Sequence, residues 1–170
     1  VVAKWPGNLG NSLKVSFLPA DSGDATTIFD AWAYKSSFDA APTTSSHASA
    51  RTATSDEMHV AVIDEDGLFT GTKGEVLETF PFVSLALGAQ NADGSTNYIK
   101  DVINNQSEYV WMAGFGDATK FSDNAGTTAD SGDSFLQRTG SPAAVNISLV
   151  NGIQSGALTT TEVATGFDKF

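Results

Sequence analysis

The chain has 170 residues, with twenty acidic against nine basic side chains and a formal net charge of −11. That is one domain's worth of polypeptide, and its charge disfavours nucleic-acid phosphate or an anionic membrane as partner. The absence of cysteine excludes disulfides, thiolate metal sites and cysteine nucleophiles. No apolar run approaches the ~20 residues of a membrane span, and residues 1–6 do not read as a signal peptide.

The chain opens on a Pro-Gly turn and a second glycine bend, Trp5 to Asn11. Leu13, Val15 and Phe17 then alternate with Ser12, Lys14 and Ser16, which predicts a half-buried strand. Residues 19–24 break it. Residues 26–34 carry Ile28, Phe29 and Trp32 at spacings that suit a short helix or a strand, and the choice stays open. Residues 36–56, rich in Ala, Ser and Thr, read as a long surface loop whose removal should leave folding nearly intact.

Residues 57–80 are the centre of the chain. The β-branched Val60, Val62 and Ile63 favour a strand with apolar positions on both faces, inside a sheet covered on both sides. Asp64-Glu65-Asp66-Gly67 supplies a tight turn. Leu68-Phe69 would begin the return strand, Gly71 to Gly74 would loosen it, and residues 76–80 would resume it. This hairpin reads as scaffold.

Pro81 interrupts the apolar run 80–87, and residues 88–97 form a turn-rich loop. Ile99, Val102 and Ile103 lie at i, i+3 and i+4, so residues 98–105 predict a two-turn helix, with a buried strand over 109–113. Residues 114–142 form a second long surface loop. Val145, Ile147 and Leu149 mark a last strand, and residues 152–156 a glycine bend. A capping box, Thr159-x-x-Glu162, opens a helix with Val163, Phe167 and Phe170 on one stripe. With no stop signal at Phe170, residues 1–170 are read as one domain within a longer protein.

Candidate chemistry is sparse. His47 and His59 share no motif, and Ser45-Ser46-His47 lacks the G-x-S-x-G nucleophile pattern. Asp64 to Gly67 has two letters of a calcium loop without the remaining ligands, and a turn tip is the better reading. Asp123, Asn124, Asp130 and Asp133 offer oxygen ligands but suit a solvated loop. The spacing around Lys73 is not that of a phosphate loop. Asn105-Gln106-Ser107 and Asn146-Ile147-Ser148 match only a three-letter glycosylation pattern. Trp5, Trp32 and Trp111 could line a sugar site, although each sits in an apolar context that suits core packing. No catalytic, cofactor-binding or metal-ligating residue is assigned, and a structural or binding protein is expected.

The segment Trp5-Pro6-Gly7-Asn8-Leu9-Gly10-Asn11-Ser12-Leu13-Lys14-Val15 resembles the aromatic-Pro-Gly-x-x-Gly-(Asn/Asp) stretch of contractile tail sheath proteins of myovirus bacteriophages. The 58–67 strand and turn, residues 76–80, residues 97–110 (NYIKDVINNQSEYV) and residues 151–170 follow in the order found in that family. The wording is most similar to sheath proteins of phages infecting marine cyanobacteria. These matches cover roughly half of the chain; residues 36–56 and 114–142 lie outside them.

The resemblance implies the middle, outward-facing domain of a sheath subunit, an α+β, β-rich, two-layer sandwich-like sheet domain with flanking short helices. Its partners would be other sheath subunits in stacked six-fold rings, the tail tube being reached mainly by domains outside this segment. The location would be the virion tail, assembled in host cytoplasm. No enzymatic activity, cofactor, nucleic-acid or membrane contact is implied, and the segment alone should be monomeric. The alternative is a stand-alone glycan- or protein-binding module of a virion or cell surface.

Overall fold

A computed structural model describes residues 1–20, 25–116, 120–136 and 143–153. Its frame is a four-stranded antiparallel sheet made by β2 (Leu13–Pro19), β3 (Glu57–Asp64), β4 (Glu75–Ser84) and β6 (Val145–Ser148), in the order β4-β3-β2-β6. A two-stranded sheet pairs β1 (Val2–Ala3) with β5 (Val110–Trp111). Short helices α1 (Ala25–Ala31), α2 (Ser46–Ser49) and α3 (Ile99–Gln106) and two 3-10 turns, Gly7–Ser12 and Lys35–Ser37, complete an α+β, sheet-rich architecture. That is the fold class expected from the sequence. The capping-box helix and most of the bend at 152–156 lie outside the described residues.

Alternation along the strands sorts side chains onto two faces. Val15 stands opposite Val62 and Phe17 opposite Val60. These side chains, with Leu13, Met58, Phe80 and Val145, pack against Ile99, Val102 and Ile103 of α3 and against Val110, Met112, Phe121 and Phe135. The other face carries Leu18, Ala61 and Ile63 beneath Trp32 and Phe38, with Ile28 and Phe29 of α1 alongside. Both faces of β3 are therefore covered, as its sequence predicts. Each fully buried aliphatic or Phe side chain contributes about 1.5–3 kcal/mol relative to exposure.

Several elements differ from expectation. Of residues 26–34, those up to Ala31 are helical, in α1, while Trp32 lies beyond its end and Ala33 and Tyr34 form a turn. β2 is buried on both faces because the α3 layer covers Leu13, Val15 and Phe17 while Trp32 and Phe38 cover the side of Ser16 and Leu18, and it runs through Pro19. Pro81 also sits within a strand, since β4 is at the sheet edge and a β-bulge sets Pro81 and Phe82 opposite His59; a residue without an N–H is tolerated at such a place. Leu68 and Phe69 form no strand: residues 65–74 make a loop, and the return begins at Glu75. In 109–113 only Val110 and Trp111 are strand, and they pair with β1 rather than the main sheet.

Among the described residues the two long polar stretches have few regular elements, yet they pack inward. Ala48, Ala53 and Asp56 of the first are at most 1% exposed, and Phe135 of the second is fully buried. They also clasp each other. Thr54 donates to the Asp133 carbonyl at 3.0 Å and accepts from the Phe135 N–H at 3.0 Å. Residues 36–56 are therefore not surface throughout: Ala48, Ala53 and Asp56 belong to the buried interior.

Candidate functional site

Next to the surface that exposes Trp5 lies a loop built outward from one carboxylate. Asp64 ends β3 with no solvent exposure. Ser12 Oγ donates to its Oδ1 at 2.6 Å, as do the Gly67 and Leu68 N–H groups at 3.0 Å. Its Oδ2 accepts from the Phe69 and Thr70 N–H groups at 2.9 and 2.8 Å and from Thr70 Oγ1 at 3.0 Å. Burial would raise its pKa, but these donors outweigh it and lower the carboxyl from 3.8 to about 2. In place of a tight turn over Asp64–Gly67, Asp64 organises the whole loop over residues 65–74, and the return strand begins only at Glu75. The spacing to Gly67 and Thr70 was the signal for a carboxylate that folds the following loop onto itself.

That loop fixes Phe69, whose ring meets Trp5 edge-on at 6.0 Å and Tyr109 edge-on at 5.3 Å. Trp5 is held from its backbone side as well. A Cβ on Gly10 would lie 2.5 Å from the Trp5 carbonyl oxygen and 2.8 Å from Ala3 Cβ, so only glycine permits this approach. Asn11 extends the clamp: its Nδ2 donates to the Gly152 carbonyl at 2.9 Å and its Oδ1 accepts the Gly152 N–H at 2.7 Å. The Trp-Pro-Gly-x-x-Gly-Asn run is thus a device for joining the chain near Ala3, Trp5 and Gly152.

Between these segments lies a cleft of about 470 Å³, lined by Val1, Val2, Trp5, Asn11, Ile147 and Val150 among others. Trp5 is 44% exposed, and Trp111, which stands opposite Val2 in the β1–β5 pair, is 48% exposed. Lys4 Nζ lies 3.6 Å from the Trp111 ring centroid and also donates to the Ser107 carbonyl. Trp32 does not join them. It is 5% exposed in the opposite layer and donates Nε1–H to Ser16 Oγ at 2.9 Å. The three tryptophans therefore divide into one core residue and two surface residues.

A second cleft, about 680 Å³, has Lys14, Tyr34, Glu65 and Asn146 among its lining residues. Lys14 Nζ lies 3.1 Å from Glu65 Oε1. Burial works against the Lys14 cation, but hydrogen bonds to Glu65 and Tyr34 prevail and raise its pKa. A hydrogen bond from Ser148, with Lys14 assisting against burial, lowers that of Glu65. Both groups are thus held in their charged forms, away from the near-neutral pKa of a general acid, base or amine nucleophile.

The remaining candidates are scattered. His47 is half-buried on α2, and burial together with the Arg51 cation lowers its pKa. His59 is buried in β3. Asp133 Oδ2 accepts the Asp130 N–H at 2.9 Å, and Asn124 Nδ2 donates to the Ser134 carbonyl at 2.9 Å, which ties their loop internally. Among the described residues no three His, Asp or Glu side chains gather as a metal site. Two carboxylates that the sequence did not single out also organise backbone. Asp56 accepts from Ser45 N–H and Oγ at 2.8 and 2.7 Å and from Ser84 Oγ. Glu78 accepts from Ser107 Oγ and the Glu108 N–H at 2.7 and 2.6 Å. Compared with known proteins, the chain matches no family model and no curated protein sequence.

Proposed function

We propose that this chain is a domain of a contractile tail-sheath subunit, a structural virion component without catalytic activity. The observation that carries the reading is a coincidence of sequence and scaffold. The sheath-like segments 5–15, 58–67, 76–80 and 97–110 fall on the first 3-10 turn and the start of β2, on β3 with the start of the Asp64 loop, on the first half of β4, and on α3 leading into β5. The segments that resemble the family contribute to three of the four strands of the main sheet and supply the helix α3 packed on it, while β6 and the Trp32–Phe38 layer lie outside them. A sheet covered on both faces, with loops tied down by buried carboxylates, suits a body that moves as a unit while its contacts with neighbours rearrange. Those neighbours would be other sheath subunits in stacked rings around the tail tube.

Negative-stain electron microscopy of the full natural gene product tests this. Tubular polymers with a regular ring repeat are expected, whereas the 170-residue chain alone should sediment as a monomer of 17.7 kDa. A natural product that forms only discrete small particles would count against the proposal.

The exposure of Trp5 and Trp111 favours a second reading, a glycan- or protein-binding module. Glycan titrations that quench tryptophan fluorescence in the parent but not in Trp5→Ala or Trp111→Ala would support it.

A further inference from the structure

The second face of the sheet holds a titratable side chain that a purely mechanical role leaves unused. His59, in β3, is fully buried. Phe38 stacks on its ring at 4.5 Å, Phe82 meets it edge-on at 4.6 Å, and Phe29 and Trp32 close the box at 6.0 and 6.3 Å. Both ring nitrogens are engaged by backbone. Nε2 lies 2.6 Å from the Ala40 carbonyl oxygen, and Nδ1 lies 3.1 Å from the Phe82 nitrogen. A carbonyl only accepts and an N–H only donates, so the pair assigns the neutral ring with its proton on Nε2.

Phe82 depends on that arrangement. Its φ of +53° is a left-handed conformation that an aromatic residue rarely adopts. Its N–H is held by His59 and its carbonyl by Asn97 Nδ2 at 2.9 Å. A proton on Nδ1 would set two donors face to face and free the Phe82 N–H.

The surrounding elements supply no compensating anion. Glu57, on the same face of β3, is bonded to the Thr43 N–H at 2.8 Å, and burial raises its pKa despite Thr43. Asp30 of α1 pairs with Lys35 at 2.8 Å, and Asp39, beside Ala40, is exposed. On β2 the residue opposite His59 is Leu18, and on β4 Glu78 bonds to Ser107 and Glu108 from the other face. Among the described residues no carboxylate accepts from the imidazole.

We propose that His59 is an acid-operated latch: neutral, it holds the Phe82 bulge by accepting its N–H, and protonated, it releases that bulge while its Nε2–H stays on the Ala40 carbonyl. Burial holds the imidazole below its ordinary 6.5, against the favourable Ala40 bond. The opened form therefore takes up a proton that the closed form refuses. Opening should increase about tenfold per pH unit as pH falls below about 6.5, until the closed form itself titrates.

Amide hydrogen exchange on the full chain between about pH 7.5 and 5 reads this directly, once corrected for intrinsic rates. Protection at the Phe82 N–H should fall about tenfold per unit below about pH 6.5, with α3 unchanged. His59→Gln, which can accept from Phe82 and donate to Ala40 without titrating, should flatten that dependence. His47→Gln should preserve it. Should His59→Gln not fold, nitrogen-15 spectra of the parent give the tautomer and the titration of both histidines. Protection in the parent that is flat over this range, loss of the dependence in His47→Gln, or a His59 ring protonated on Nδ1 at neutral pH would each overturn the proposal.

Discussion

Asp64 concentrates at one side chain what a loop of ten residues needs in order to hold a shape. Its oxygens take backbone N–H groups from Gly67 to Thr70 and the Ser12 hydroxyl, so Asp64→Asn loses a charged acceptor while keeping the volume. Hydrogen bonds to charged groups contribute about 1.5–3 kcal/mol, and an unfolding free energy lower by that order, read as a lower urea midpoint at unchanged slope, is expected at pH 6. The carboxyl is held at about 2, below its ordinary 3.8, so between these values the unfolded chain binds a proton that the folded chain excludes. The stability Asp64 supplies is complete above about pH 5 and is lost as pH falls toward 2. The difference between parent and variant should shrink over that window. A gap that stays constant down to pH 2 would show that the charge is not what matters. At His59 the balance has a different sign. The Phe38 and Trp32 faces favour a cation by up to about 2 kcal/mol, but desolvation of an unpaired ion costs several and an orphaned N–H about 1–3. The neutral ring wins.

At the scale of elements, β3 is the member on which the others are registered, and Val62→Asp should unfold the domain. Val62 is fully buried opposite Val15, and a carboxylate there has no partner. A variant that melted like the parent would remove β3 from the core. Gly10→Ala should displace Trp5, because the added methyl meets backbone rather than a flexible side chain. Overpacking of this kind costs about 1–3 kcal/mol, and a change in tryptophan emission should accompany the loss of stability. The sheet was legible because β-branched residues repeat at the strand period in 57–64 and 145–149, and α3 because Ile99, Val102 and Ile103 share a face. The extent of β4 was not, because edge position and the bulge at Phe82 make Pro81 harmless, and both depend on a partner strand distant in sequence. Likewise, nothing local to Trp5, Trp32 and Trp111 says which one is buried. Ser16, on the neighbouring element, takes the Trp32 N–H, whereas Trp111 falls on a short outer pair.

At the scale of the whole molecule, the two polar stretches are the layer that closes the core. Removing 36–56 would take away Ala48, Ala53 and Asp56, along with the pairing of Thr54 to residues 133–135. Loss of the cooperative thermal transition is expected, and a deletion variant that still melts sharply would return the segment to the status of a dispensable loop. The sheath proposal joins this body to a larger assembly through the scaffold segments 5–15, 58–67, 76–80 and 97–110. Immunogold electron microscopy tests it most directly, with antibodies raised against the 170-residue chain and applied to virions that carry the natural gene product. Gold decorating the tail along its length, between head and baseplate, is the predicted result. Gold confined to the capsid or fibres, or absent from the particles, would contradict it.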